Sequence, residues 1–170
     1  LVSATVNSKS QLVERATFMA LIRTKDVIRS FSEALQFISY YHPIDFIRAV
    51  SEAHEREESA AAKDAMAQIL INSRMCAEGR RPICQDTGIV TVFLKVGMQL
   101  QWEDGLSLFD MVNEGVRQAY TNPDNVLRAS ILADPAGARK NTGNNTPAVI
   151  HTEIVPGDKL KIKLAAKGGG

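Results

Sequence analysis

The apolar residues of this chain change their period once, between residues 79 and 89, and that change limits the folds open to it. Across 26–41 the apolar positions Val27, Phe31, Leu35 and Ile38 recur at the spacing of one helix face. His42-Pro43 interrupts the pattern, and Pro43 suits the first turn of a second helix carrying Ile44, Phe46, Ile47, Val50 and Ala53. Ser59 is placed to cap a third helix from Ala60 to about Ala77, with Met66, Ile69, Leu70 and Met75 as its apolar stripe. Gly79 stands where a helix C-cap would. Residues 89–96 (IVTVFLKV) are then rich in β-branched side chains and read as a strand. Ser107, three residues before Asp110, resembles a capping box. The helix it opens puts Phe109, Val112, Val116 and Ala119 or Tyr120 on one face, and Asn122-Pro123-Asp124 ends it. After an irregular stretch at 133–147, residues 148–155 and 159–166 read as a hairpin turned by Pro156-Gly157-Asp158. Helices first and strands later predict an α+β fold: an N-terminal helical layer, then a mixed or antiparallel sheet with one further helix and a C-terminal hairpin.

Charge and size narrow the function. Twenty basic against nineteen acidic residues leave +1, too little field to gather nucleic acid or anionic lipid. Mean hydropathy is −0.10, and no apolar run has the length of a membrane span. Two cysteines cannot by themselves close a four-thiolate metal site. The 170 residues suit one compact domain, or a small domain with an appendage. Residues 1–18 are polar and weakly patterned, and Met19 reads like a natural start. We therefore expect an extension at 1–18 and a domain at 19–170. Gly168-Gly169-Gly170 follows a strand-like run and reads as a glycine-rich loop cut in its middle.

The segment richest in chemistry is Arg80-Arg81-Pro82-Ile83-Cys84-Gln85-Asp86-Thr87-Gly88, between a helix and a strand. Two arginines beside Cys84 favour thiolate over thiol, the form that binds metals and attacks electrophiles. Cys76, at helical spacing, is expected in the core, and the Cys-x7-Cys pair matches no zinc or redox spacing. His42, His54 and His151 are far apart and read as structural, so no Ser-His-Asp or Cys-His device can be assembled. Arg128 and the run Arg139-Lys140 with its neighbouring amides and hydroxyls have chemistry suited to carboxylates.

Four segments in this order, PICQDTG at 82–88, NPDNVLRAS at 122–130, RKNTGNNTPAVIH at 139–151 and VPGDKLKIKLAAKGGG at 155–170, resemble the N-terminal region of the class I, iron–sulfur-dependent fumarate hydratases and the alpha chain of the related L-tartrate dehydratases. The resemblance runs from about Met19 to Gly170. It implies a hydro-lyase of the tricarboxylic acid cycle, cytoplasmic, that reversibly hydrates fumarate to malate on a 4Fe-4S cluster whose open iron is a Lewis acid. It implies Cys84 as a cluster ligand, Gln85 and Asp86 as substrate contacts with Asp86 also in proton transfer, Arg128 as the holder of a substrate carboxylate, and Gly170 as a backbone wall of the site. Only Cys84 matches a ligand, so the chain alone is predicted to hold no stable cluster and to be inactive.

The partners implied are a dicarboxylate (fumarate, malate or tartrate) and either a missing C-terminal half or a beta-type subunit. The family often forms dimers, so a homodimer is a further expectation. Two other readings compete: a non-catalytic binding or assembly module using helices 26–77 as its face, and a Cys84 thiol enzyme, which requires a histidine nearby.

Overall fold

Helix α1 (Thr24–Tyr40) turns Val27, Phe31 and Leu35 inward, the stripe that its apolar spacing predicts. The structure is a computed structural model that describes residues 21–103 and 105–168. The expected extension at 1–18 and Gly170 lie outside the described residues. After the break at His42-Pro43, α2 (Ile44–Arg56) packs against α3 (Ala60–Gly79). Ser59 caps α3 as expected, its Oγ accepting from the Ala62 N–H at 3.4 Å. The left-handed residue that ends α3 is Arg80 (φ 48°), one position beyond the glycine expected there. The apolar stripe of α3 also needs correction. Met66 and Leu70 are half-buried, but Ile69 and Met75 face outward, and the buried positions are Ser73 and Cys76. The docking line is 66, 70, 73 and 77, rotated from the one that hydrophobicity alone selects.

Helix α4 (Leu108–Tyr120) begins at Ser107, whose Oγ accepts from the Asp110 N–H at 3.1 Å and donates to Asp110 Oδ2 at 2.6 Å. Its buried stripe includes Val112, Val116, Ala119 and Tyr120 and packs across α1. Phe109, expected on that stripe, lies at its margin in the first turn and stays exposed.

The central strand is β2 (Ile89–Gly97). It alternates as a half-buried strand should: Val90, Val92 and Leu94 face the helices, whereas Ile89, Phe93 and Lys95 face outward. Two-residue strands β1 (Leu21–Ile22) and β3 (Gln101–Trp102) pair in parallel at one side, and β4 (Leu132–Ala133) and β5 (Lys140–Asn141) form a short antiparallel pair in the long loop. Strands β6 (Val149–Val155) and β7 (Leu160–Lys167) are joined by the expected turn, yet they do not pair with each other. The order is β6-β2-β7, with β2 parallel to β6 and antiparallel to β7. The C-terminal hairpin is therefore corrected to a split pair with β2 inserted between its strands. The connection passes over the end of β2: Gly97 N–H donates to Lys159 O (3.0 Å), Met98 N–H to Val155 O (2.9 Å) and Gln99 N–H to Gly157 O (2.9 Å). Gly97 is required there because a Cβ would collide with the Gly157 carbonyl. The physical reason for the insertion is burial. β2 carries the fully apolar inward row and gains a ladder on both edges.

The α+β class stands, with α1 and α4 covering one face of a mixed sheet. Each fully buried valine or leucine of this core contributes roughly 1.5–3 kcal/mol relative to exposure. Among the described residues no helix is long and apolar enough to cross a membrane.

Candidate active site

The 82–88 segment leaves α3 and enters β2, and its two ends are held by different parts of the chain. Ile83 N–H donates to Ser39 O at 2.8 Å, and Ile83 O accepts from Asn72 Nδ2 at 3.0 Å. Thr87 Oγ1 donates to the main-chain oxygen of Arg128. Thr87 O accepts from the Tyr120 hydroxyl at 2.6 Å, and Gly88 O from Asn145 Nδ2 at 2.9 Å. Asn145 is fully buried and also accepts, at Oδ1, from the N–H groups of Ser130 (2.7 Å) and Ile131 (3.3 Å). Gly88 adopts φ +70° and presses on the chain at Lys167-Gly168, where a Cβ at 88 would meet Lys167 C at 2.5 Å. All four segments singled out in the sequence therefore meet around residues 86–88.

A cavity of roughly 280 Å³ opens there, at the small end of ligand-site sizes. Cys84, Asp86, Thr87, Tyr120, Ser39 and His42 supply its polar wall, and Leu35, Ile38 and Leu127 are among its apolar residues. A second, shallower cavity on the α3 side is also bordered by both Cys84 and His42. Cys84 is an exposed free thiol whose Sγ lies 3.5 Å from Asp86 O. Burial pushes the Tyr120 hydroxyl up to about 12, and the charge of Asp86 acts in the same direction, so this phenol stays a donor at neutral pH. Burial also lowers the His42 pKa, which favours the neutral form of the ring.

Of the residues singled out, Cys84 and Asp86 line the cavity. Gln85 is exposed and does not. Arg128 is anchored beside the cavity by its main chain, and its side chain is exposed. Arg139 and Lys140 lie on the surface and line none of these cavities. Gly170 lies outside the described residues, but its neighbour in the glycine run, Gly168, touches the Asp86 carboxylate. The sequence did not announce that Tyr120 and His42 border this cavity or that Asn145 ties the segment to the long loop, although the reading of Tyr120 as core holds. Asn145 stood within a noted amide-rich run, and Tyr120 read as core. His42 read as structural, yet its place at the helix break is what carries it to the cysteine.

An iron–sulfur cluster needs several thiolates. Cys84 fits the part of one ligand, being exposed at a cavity mouth. Cys76 does not fit: it is buried, with Sγ turned to Asn72 Oδ1 and Pro82 O, both at 3.6 Å. Among the described residues, no more than one thiol is placed where it could serve a cluster, and no group of three or more His, Cys, Asp or Glu side chains could hold a metal ion.

Residues 28–170 match the family model described as fumarate hydratase (fumerase). The chain is 36% identical over 117 residues to the anaerobic class I fumarate hydratase of Escherichia coli, an alignment covering 69% of the chain and 21% of that protein. It is 30% identical over 157 residues to the aerobic class I fumarate hydratase of Salmonella typhimurium, covering 86% of the chain and 26% of that protein. It is 25% identical over 164 residues to the L(+)-tartrate dehydratase alpha subunit of Escherichia coli, covering 96% of the chain and 50% of that subunit. The chain therefore spans about half the length of the tartrate dehydratase subunit and about a quarter or less of the fumarate hydratases. With the model matched from 28 to 170, the chain belongs to the fumarate hydratase (fumerase) family.

Proposed function

We propose that this chain is the N-terminal part of an iron–sulfur hydro-lyase that reversibly hydrates fumarate to malate. The observation that carries the reading is the convergence of three separated segments on one small cavity bordered by an exposed thiol and a carboxylate, with the fourth tied to Gly88 beside it through Asn145. Cys84 supplies one thiolate to a 4Fe-4S cluster whose other ligands come from the rest of the protein or from a partner chain. When bound, such a cluster supplies a Lewis acid for the hydroxyl that is added or lost. Asp86 faces the substrate and moves the proton. Gln85 adds an amide contact, Arg128 neutralises a substrate carboxylate from beside the cavity, and the backbone at Gly170 completes the wall. The apolar side of the cavity excludes water and strengthens these charge contacts.

A second reading is the alpha subunit of an L-tartrate dehydratase acting with a beta-type partner, favoured by the chain's coverage of half of such a subunit. Anaerobic reconstitution with iron and sulfide, visible absorption, and assays with fumarate, malate and tartrate test both readings. The complete protein, with any partner, is expected to gain a stoichiometric cluster and turn over one of these acids. The isolated chain is expected to do neither. Cys84→Ser in the complete protein is expected to lose cluster and activity together. Retained cluster and activity would remove Cys84 from the ligand set, and a complete protein that never forms a cluster would leave the non-catalytic module as the reading.

A further inference from the structure

The side chains that wall the cavity have, with one exception, already given away their hydrogens. Ser39 Oγ donates to Gln36 O at 2.6 Å, Tyr120 to Thr87 O at 2.6 Å, and Thr87 Oγ1 to Arg128 O. The Cys84 thiol is turned to Asp86 O at 3.5 Å. Asp86 is an acceptor, and the remaining lining residues are apolar. The exception among the described lining residues is the ring of His42.

That ring is fixed on two sides. Phe46 stacks on it at 4.5 Å between centroids, with 27° between the planes. Its Nδ1 lies 3.0 Å from Ser73 Oγ. Ser73 is buried in the interior of α3, and His42 is the sole partner of its hydroxyl among the described residues. A buried hydroxyl gives its hydrogen to an acceptor, so Nδ1 accepts from Ser73. The neutral imidazole then carries its own hydrogen on Nε2. The ring borders both cavities that Cys84 borders.

We propose that His42 is a substrate-binding residue whose Nε2–H, set in that tautomer by Ser73, donates a hydrogen bond to an oxygen of the bound dicarboxylic acid. The inference rests on the hydro-lyase reading and adds to it a contact from the link between α1 and α2. A neutral donor suits this place. It binds a carboxylate or hydroxyl oxygen without drawing the Asp86 carboxylate into an ion pair, and Asp86 stays free for the proton.

The test uses the complete protein, with fumarate as substrate and succinate as a non-reacting probe. His42→Gln keeps an N–H near the position of Nε2, whereas His42→Asn withdraws it to the position of Nδ1. A hydrogen bond to a charged acceptor contributes about 1.5–3 kcal/mol, equivalent to roughly 10–100-fold in affinity. His42→Asn is expected to raise KM and the succinate dissociation constant by about that factor with kcat changed less than about 3-fold. His42→Gln is expected to recover most of the loss, and Ser73→Ala to give a smaller loss of the same kind. Independently of any variant, saturating succinate is expected to slow carbethoxylation of His42 by diethyl pyrocarbonate, followed by peptide mass. Unchanged KM in His42→Asn, equal losses in the Asn and Gln variants, or no protection by succinate would each overturn the proposal while turnover by the parent protein keeps the hydro-lyase reading intact. A parent protein that neither turns over fumarate nor binds succinate overturns both.

Discussion

The carboxylate of Asp86 rests on the α-carbon of Gly168, so closely that a methyl group there would stand 2.5 Å from Asp86 Oδ2. Gly168→Ala therefore pushes the carboxylate off its position, although residue 168 is exposed and contributes little to the core. With Asp86 in its proposed proton-transfer role, such a displacement costs on the order of 10–100-fold in rate. We expect kcat/KM of the complete protein to fall by that amount with the melting midpoint unmoved. A variant with parental kcat/KM would remove Asp86 from the chemistry.

Asn145 ties the start of β2 to the 130–131 backbone through three hydrogen bonds. Asn145→Ala strands the buried Gly88 carbonyl and takes the acceptor from the part-buried Ser130 N–H. The expected loss is about 2–4 kcal/mol of stability, read from urea unfolding. A loss below about 0.5 kcal/mol, the size of an ordinary surface substitution, would show that this junction is held in another way.

The two thiols differ in access, Cys84 being exposed and Cys76 only 6% exposed. Iodoacetamide added to the folded chain is expected to alkylate Cys84 quickly and Cys76 only after unfolding, as resolved by peptide mapping. Equal rates at both positions would contradict the packing of α3 against the 82–84 backbone.

Acid sensitivity has a specific surface source. Arg117 grips Glu114 through two hydrogen bonds (2.6 and 2.7 Å) and holds its carboxyl down at about 2, against 4.5 for the free group. The native state keeps this carboxylate charged at pH values where the unfolded chain protonates it. The contribution is thus complete above about pH 4.5 and is lost as pH falls toward 2. The pair is solvent-exposed, so the effect is under about 1 kcal/mol. Glu114→Gln is expected to flatten the fall in the urea midpoint between these pH values. An identical slope in the variant would assign the acid loss to other groups. The half-buried His42, whose pKa desolvation lowers from 6.5, adds a fall of the same sign at higher pH, because unfolding lets the ring take up a proton more readily.

Local pattern made the elements legible. The 27/31/35 stripe, the Ser59 and Ser107 caps and the alternation of 89–96 each answer to nearest-neighbour physics, and each element formed where the pattern put it. Strand order did not follow from pattern, because β6 and β7 are joined by a good turn and nothing within either strand states that a third will come between them. The site divides along the same line. Cys84 and Asp86 were readable because their chemistry is concentrated within a few residues. His42, Tyr120 and Asn145 arrive from α1's end, α4 and the long loop, and only the packing of those elements gives them a common address.

The inserted position of β2 has a consequence for how the chain is made. Its partners on both edges, 149–155 and 160–167, both follow it in the chain and are separated from it by α4 and the long loop. During translation the row Val90, Val92 and Leu94 waits without a ladder, beside helices that have no sheet to cover, until residues 149–167 have emerged from the ribosome. Long-range pairing of this kind is slow and leaves apolar surface open to the wrong neighbours. Nascent chains stalled before residue 149 should therefore be strong chaperone clients, and those released past 167 should not.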